Sequence, residues 1–268
     1  MIRKALAFVK KDFLIVSTYK TSFLLSWGRI LGTLLPFYFI SKLFLSTGPT
    51  LLGRYGGIYF PFVLIGVAFR RYLTTALSGF QEILSREQGE GAMEILLLSP
   101  TPIVSLFIFL SIGYLLLSLF ELLLYFLFGA FFFGVSLNQV NLPATLLILL
   151  FTTVSFYGFG ILSCAFFLVF KQTNPLTLVF GGLSSFLGGV YFPIEIFPRW
   201  LQSGSEFLPL TRVLRAMRLA ILKGASFDLL RRDLLFLGVL AVTLFPFSLW
   251  VFQKAMQKAR RDGTLSHF

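Results

Sequence analysis

Between Ile103 and Phe170 the chain carries one charged side chain, Glu121. The hydrocarbon core of a bilayer is about 30 Å thick and needs roughly 20 apolar residues for each crossing helix, and this run is long enough for two. Its apolar residues do not alternate with polar ones, so helices rather than barrel strands are implied. With 57% hydrophobic and 13% charged residues and a mean hydropathy of +0.87, a chain of 268 residues has more apolar side chain than one soluble core can hide. Lipid must take the excess. The expected fold is all-α, a polytopic integral membrane protein.

Length and apolarity place about six spans, near residues 22–45, 56–80, 103–134, 143–170, 175–193 and 233–253. Gly48-Pro49, the run from Ser136 to Gln139, and Asn174-Pro175 supply breaks between them. Ahead of the first span, Ile2, Leu6, Val9, Phe13 and Val16 recur three or four residues apart, opposite Arg3, Lys4, Lys11 and Thr18. This pattern describes an amphipathic helix over residues 1–20 lying in the membrane interface, or else the first turns of the following span. Lys10, Lys11 and Asp12 interrupt any signal-peptide core, so the segment is expected to be retained.

Basic residues flank the outermost spans. Arg3, Lys4, Lys10 and Lys11 precede the first, and Lys254, Lys258, Arg260 and Arg261 follow the last. Both termini are thus expected in the cytoplasm of a cell inner (plasma) membrane, which requires an even number of spans. The segment 194–232 resists this map. It would lie outside, yet it carries Arg199, Arg212, Arg215, Arg218, Lys223, Arg231 and Arg232. The formal charge of +12 sits mostly at chain ends and connections, which makes anionic lipid headgroups, not nucleic acid, the expected partner.

Catalytic, metal and cofactor sites are not expected. The single cysteine, Cys164, lies in an apolar stretch, and the single histidine, His267, lies at the C-terminus. The sequence has no G-x-x-x-x-G-K-[ST] loop, so ATP and Mg, if they are used, belong to a partner subunit. Charges inside the spans cost about 2.5–3.5 kcal/mol each at the bilayer centre, which singles out Arg29, Arg70, Arg71 and Glu121. Either Arg70, Arg71 and Glu121 line a pathway or gate, with Glu121 paired to Arg70 or Arg71, or the arginines lie nearer the interface and reach headgroups. Gly28 and Gly32 have the spacing that lets helices approach closely, within the chain or between two copies.

Two polar segments carry further information. Residues 82–102, EILSREQGEGAMEILLLSPTP, place Met93, Leu96 and Leu97 on one helical face beside Glu94, either a short helix offered to a partner or a connector at the bilayer surface. In the segment from Tyr191 to Arg232, Pro193, Pro198 and Pro209 forbid one continuous helix. From Leu210 to Lys223 the pattern turns regular, with an apolar stripe of Leu210, Val213, Leu214, Met217 and Ile221, closed by Gly224.

These segments resemble the type-2 ATP-binding-cassette (ABC) exporter permeases. That family carries E-x-x-x-G-T-x-E-x-L-L-x-x-P between its second and third spans, and Glu87, Gly91, Glu94, Leu97 and Pro100 occupy matching places, with Ala92 in place of threonine. Its later pattern of glycine, Phe-Pro, a further proline and Asn-Pro-Leu-Thr is matched by Gly188, Gly189, Phe192-Pro193, Pro198 and Leu208-Pro209-Leu210-Thr211. The resemblance implies a transmembrane domain over residues 21–268 with six spans and a cytoplasmic coupling segment around Arg86 to Leu98. It also implies external re-entrant helices within 194–230, where Gly189, Phe192, Pro193, Pro198, Pro209 and Arg215 form the motif. The implied assembly is two permeases, a second copy or a paralogue, above two cytoplasmic ABC ATPase subunits, exporting a drug, lipid or lipid-linked glycan. A membrane scaffold and a secondary transporter are the competing readings, and the second is disfavoured by the absence of an internal repeat.

Overall fold

The computed structural model describes residues 20–44, 52–55, 57–89, 103–136, 138–170 and 181–261. These residues form eight α-helices: α1 (Lys20–Phe44), α2 (Tyr59–Gly89), α3 (Ile103–Phe133), α4 (Leu142–Phe170), α5 (Ser184–Leu187), α6 (Arg199–Glu206), α7 (Pro209–Leu222) and α8 (Phe227–Arg261). Four are long and apolar enough to cross a membrane, namely most of α2, α3, α4 and α8. The expected amphipathic segment 1–20 lies outside the described residues apart from Lys20, which starts α1.

Local chemistry sets the helix ends. The Ala144 amide donates to Asn141 Oδ1 at 3.2 Å, so Asn141 caps α4 and satisfies one of the amides its first turn leaves open. Pro209 opens α7 where no intrahelical N–H is needed. The expected apolar stripe of α7 is fully used: Leu210, Val213, Leu214, Met217 and Ile221 are all buried.

Helix α2 is the centre of the bundle. It packs on α3, α4 and α7, while α4 lies along α8. Around one end of α2, Phe62, Phe69 and Tyr72 join Leu214 and Met217 in one core; around the other, Phe80 and Leu84 join Phe107, Cys164 and Met256 in a second. The first end also gathers Tyr38 of α1, Phe60 of α2 and Phe133 of α3 into a cluster of rings 4.9–5.5 Å apart. Lipid tails are as apolar as these side chains, so the gain here is close packing, not removal from water.

Some expectations need correction. Residues 82–89 are not a connection but the last turns of α2, whose 31 residues reach about 46 Å at 1.5 Å per residue. A helix that long exceeds the hydrocarbon thickness, so its charged end belongs in water without breaking the helix. For the same reason α8, with 35 residues, extends past the expected span 233–253 on both sides. Of the expected fifth span, residues 181–187 are helical and the turn at Gly188-Gly189 ends them, while residues 175–180 lie outside the described residues. A Cβ added at Gly28 or Gly32 would meet no other element within 4 Å, so among the described residues no close helix approach depends on their small size.

Candidate functional site

Charged side chains gather at two depths. The first group joins α1, α2 and α3. Arg29 Nη2 donates to Glu121 Oε1 at 3.0 Å, and Arg71 Nε donates to the same oxygen at 3.1 Å. Glu121 lies about 18 Å along α3 from Phe133, and Arg71 about 18 Å along α2 from Tyr59, at the 1.5 Å rise of a helix. The cluster therefore sits at mid-depth of the bundle and not at either rim. Two guanidinium charges against one carboxylate leave a formal +1. Glu121 is 17% exposed, but Arg29 and Arg71 are 52% and 39% exposed.

Of the two partners expected for Glu121, the structure brings Arg71 to it. Glu121 takes Arg71 and also Arg29, a partner that the sequence pattern did not assign to it. Arg70 turns the other way, donating to Ser185 Oγ at 3.2 Å and to the Tyr191 hydroxyl at 2.8 Å. Phe37 of α1 stacks on Tyr191 at 5.5 Å, so Arg70 ties α2 to the turn after α5 beside α1.

The second group lies where α6 and α7 meet the start of α8. Asp233 is buried and accepts from Arg212 Nη1 at 3.2 Å and from Arg215 Nε at 2.9 Å, with a further short bond from Arg215 Nη2. Arg212 Nη2 donates to Glu206 Oε2 at 3.2 Å, and its Nε donates to the Glu206 carbonyl at 2.9 Å. Two cations face two carboxylates, so the formal charge is zero. The hydrogen bond to Asp233 holds the Arg215 guanidinium above its ordinary range.

Arg218 is a third case. It is 3% exposed, donates Nε to the Phe62 carbonyl and Nη2 to the Val190 carbonyl, each at 3.1 Å, and stacks 3.4 Å from the centre of the Phe62 ring. Burial pushes its guanidinium down to about 9, while Tyr55 and Glu195 pull it back up, so it stays protonated at neutral pH. The approach needs Gly66: a Cβ there would lie 2.2 Å from the Val190 carbonyl oxygen and 2.8 Å from Arg218 Nη2.

Four of the seven basic residues in 194–232 have partners within the chain. Arg212 and Arg215 are neutralised within the chain, Arg218 is solvated by backbone carbonyls, and Lys223 Nζ donates to the Gly53 carbonyl at 2.7 Å. Such charges are committed to the fold and are poor reporters of orientation. Within the expected external motif, Gly189 adopts φ +76°, a left-handed conformation that glycine takes without strain. Phe192 is exposed, Pro193 precedes a 3-10 turn at Ile194–Ile196, Pro198 precedes α6, and Pro209 starts α7.

Of the expected coupling residues, Arg86 and Glu87 are described. Glu87 is buried, with Arg86 Nη2 at 3.4 Å from its Oε1, and Arg86 lies over the Tyr114 ring. Glu87 is thus covered within the chain. Gly91, Glu94, Leu97 and Pro100 lie outside the described residues. Among the described residues no group of three or more His, Cys, Asp or Glu is placed to hold a metal ion.

A bundle with four helices long and apolar enough to cross a membrane, with charges paired between its helices, is that of a multi-pass membrane protein. The family model for the ABC-2 type transporter matches residues 4–222, and the chain belongs to that family. It is a membrane component of an ABC transporter, the permease part and not the ATPase. No curated protein matches the chain.

Proposed function

We propose that the chain is the permease subunit of an ATP-driven exporter whose pathway runs along the face of α1, α2 and α3 that bears Arg29, Arg71 and Glu121. The observation that supports this most is the exposure of that cluster. Half-exposed arginines at mid-depth are costly against hydrocarbon, and such residues face a water-filled cavity or another subunit. Other exposed side chains near that depth are largely apolar, as with Leu116, Phe120 and Leu123 of α3 and Val239 and Val242 of α8, beside the hydroxyl of Thr243, which is bonded back to the Val239 carbonyl.

In this reading the subunit has six spans, the fifth ending at Leu187, and an amphipathic N-terminal helix over residues 1–20. Both termini lie in the cytoplasm of the plasma membrane, α6 and α7 are the external re-entrant helices, and a second copy or a paralogous permease completes the pathway. A cytoplasmic ABC ATPase pair binds ATP and Mg and drives the two permeases between inward-open and outward-open arrangements through the segment 82–102. The cargo is hydrophobic or amphipathic.

The test is coupled ATPase activity of the candidate ATPase reconstituted in lipid with this chain. Glu94→Arg and Leu97→Asp abolish co-purification and coupling while the subunit still inserts. Wild-type coupling in both variants would remove the coupling segment from the account, and failure of any ABC ATPase to associate would overturn the permease reading.

A further inference from the structure

Glu121 uses one oxygen for two arginines. Each guanidinium carries five N–H donors in a fixed fork, and among the described residues each commits one nitrogen to Glu121 and makes no other side-chain hydrogen bond. Two cations within 3.0–3.1 Å of the same atom repel each other, and one carboxylate cancels one of them. The network of Glu206, Arg212, Arg215 and Asp233 shows how the same chain balances arginines when the purpose is packing: one carboxylate per guanidinium, largely buried. Among the described residues the mid-depth cluster has no second carboxylate, and both its arginines stay open.

We propose that Arg29 and Arg71 together recognise the anionic group, a phosphate or carboxylate, of an amphipathic substrate. The missing negative charge is the ligand's. Forked guanidinium donors from two helices match the oxygens of such a group, while Phe37, stacked on Tyr191 and about 80° around α1 from Arg29 at 3.6 residues per turn, supplies apolar surface for its hydrocarbon part. Glu121 positions both arginines and sets the affinity low enough for release, because it competes with the ligand for their donors. This inference names the substrate class for the pathway proposed above and rests on that reading.

The test is binding of radiolabelled dodecyl phosphate to the full-length chain in neutral maltoside detergent, by scintillation proximity. Arg29→Gln and Arg71→Gln each weaken binding by about tenfold, the scale of one lost charge-assisted contact. Glu121→Gln tightens it severalfold, because it frees donors and raises the local charge. A triad that only holds the helices together predicts the opposite sign, and weaker binding in Glu121→Gln overturns the proposal. Should an arginine variant fail to fold, the Glu121 arm still decides, since it keeps both arginines.

Unlabelled competitors separate the sources of the anion. Dodecyltrimethylammonium is expected not to compete, and equal competition by it overturns the charge preference. Inorganic phosphate competing as well as dodecyl phosphate would assign the site to a free anion, and phosphatidylglycerol doing so would assign it to bilayer lipid; either overturns the substrate assignment. The assay needs no ATPase. Failure of any ABC ATPase to associate with the wild-type chain, with charge-selective binding intact, overturns the permease reading alone, and charge-blind binding beside an intact wild-type coupling overturns this inference alone.

Discussion

The two arginine clusters of this chain differ in balance and in exposure, and the two differences go together. Around Asp233 the charges cancel and the side chains are mostly covered; around Glu121 they do not cancel and both arginines are open. A buried charge is tolerated when it is paired or, like Arg218, hydrogen-bonded to backbone carbonyls. The Asp233 network meets that demand within the chain, so it works as mortar between α6, α7 and α8. The Glu121 cluster leaves a charge over, and leaves it accessible, which suits a group meant to meet something else.

Breaking the balanced network has the largest expected effect on stability. Asp233→Ala strands Arg212 and Arg215 beside the half-exposed Glu206 and is expected to destabilise the detergent-solubilised protein by about 3–5 kcal/mol, seen as a lowered midpoint of thermal unfolding. Next comes Arg218→Ala, which leaves the Val190 carbonyl without its Arg218 donor, while the Phe62 carbonyl keeps the intrahelical amide of α2; a loss of about 1–3 kcal/mol is expected. Thermal unfolding within error of wild type in either variant would erase the distinction between the two clusters. Gly66→Ala follows, because the new Cβ collides with the Val190 carbonyl and forces α2 away from the turn after α5; a loss of about 1–3 kcal/mol is expected in the same measurement.

The smallest stability effect belongs to Glu121→Gln. A half-exposed pair in a wet pathway contributes about 0–1 kcal/mol, so thermal unfolding changes little while transport and anion binding change. A loss as large as that of Asp233→Ala would place the cluster in the same structural class as the Asp233 network.

Periodicity made much of this legible from sequence. The stripe of α7 was readable because Leu210, Val213, Leu214, Met217 and Ile221 share one helical face, and the charge-poor run from Ile103 to Phe170 announced α3 and α4. Arg218 was readable in principle and easily missed. It lies about 120° around the helix from Arg212 at 3.6 residues per turn, between Leu214 and Ile221, so the series Arg212, Arg215, Arg218 winds from the open side into the core. The pairing of Arg29 with Glu121, across 92 positions of sequence, depends on how α1 docks against α3, and no local pattern encodes it. Asp233 gave no warning either, because a lone carboxylate near a helix start reads equally well as a solvated first turn.

The central claim is that the face bearing Arg29, Arg71 and Glu121 is wet and the opposite face of α3 is not. Its most direct test is labelling of single cysteines by a charged thiol reagent in membranes, in a Cys164→Ser background. Thr33, one turn from Arg29 and donating to its carbonyl at 2.7 Å, is the position to mark the pathway; Leu123, at the depth of Glu121 and 53% exposed, marks the lipid side. The account predicts rapid labelling of Thr33→Cys and none of Leu123→Cys. Equal labelling of the two, or labelling of Leu123→Cys alone, would contradict it.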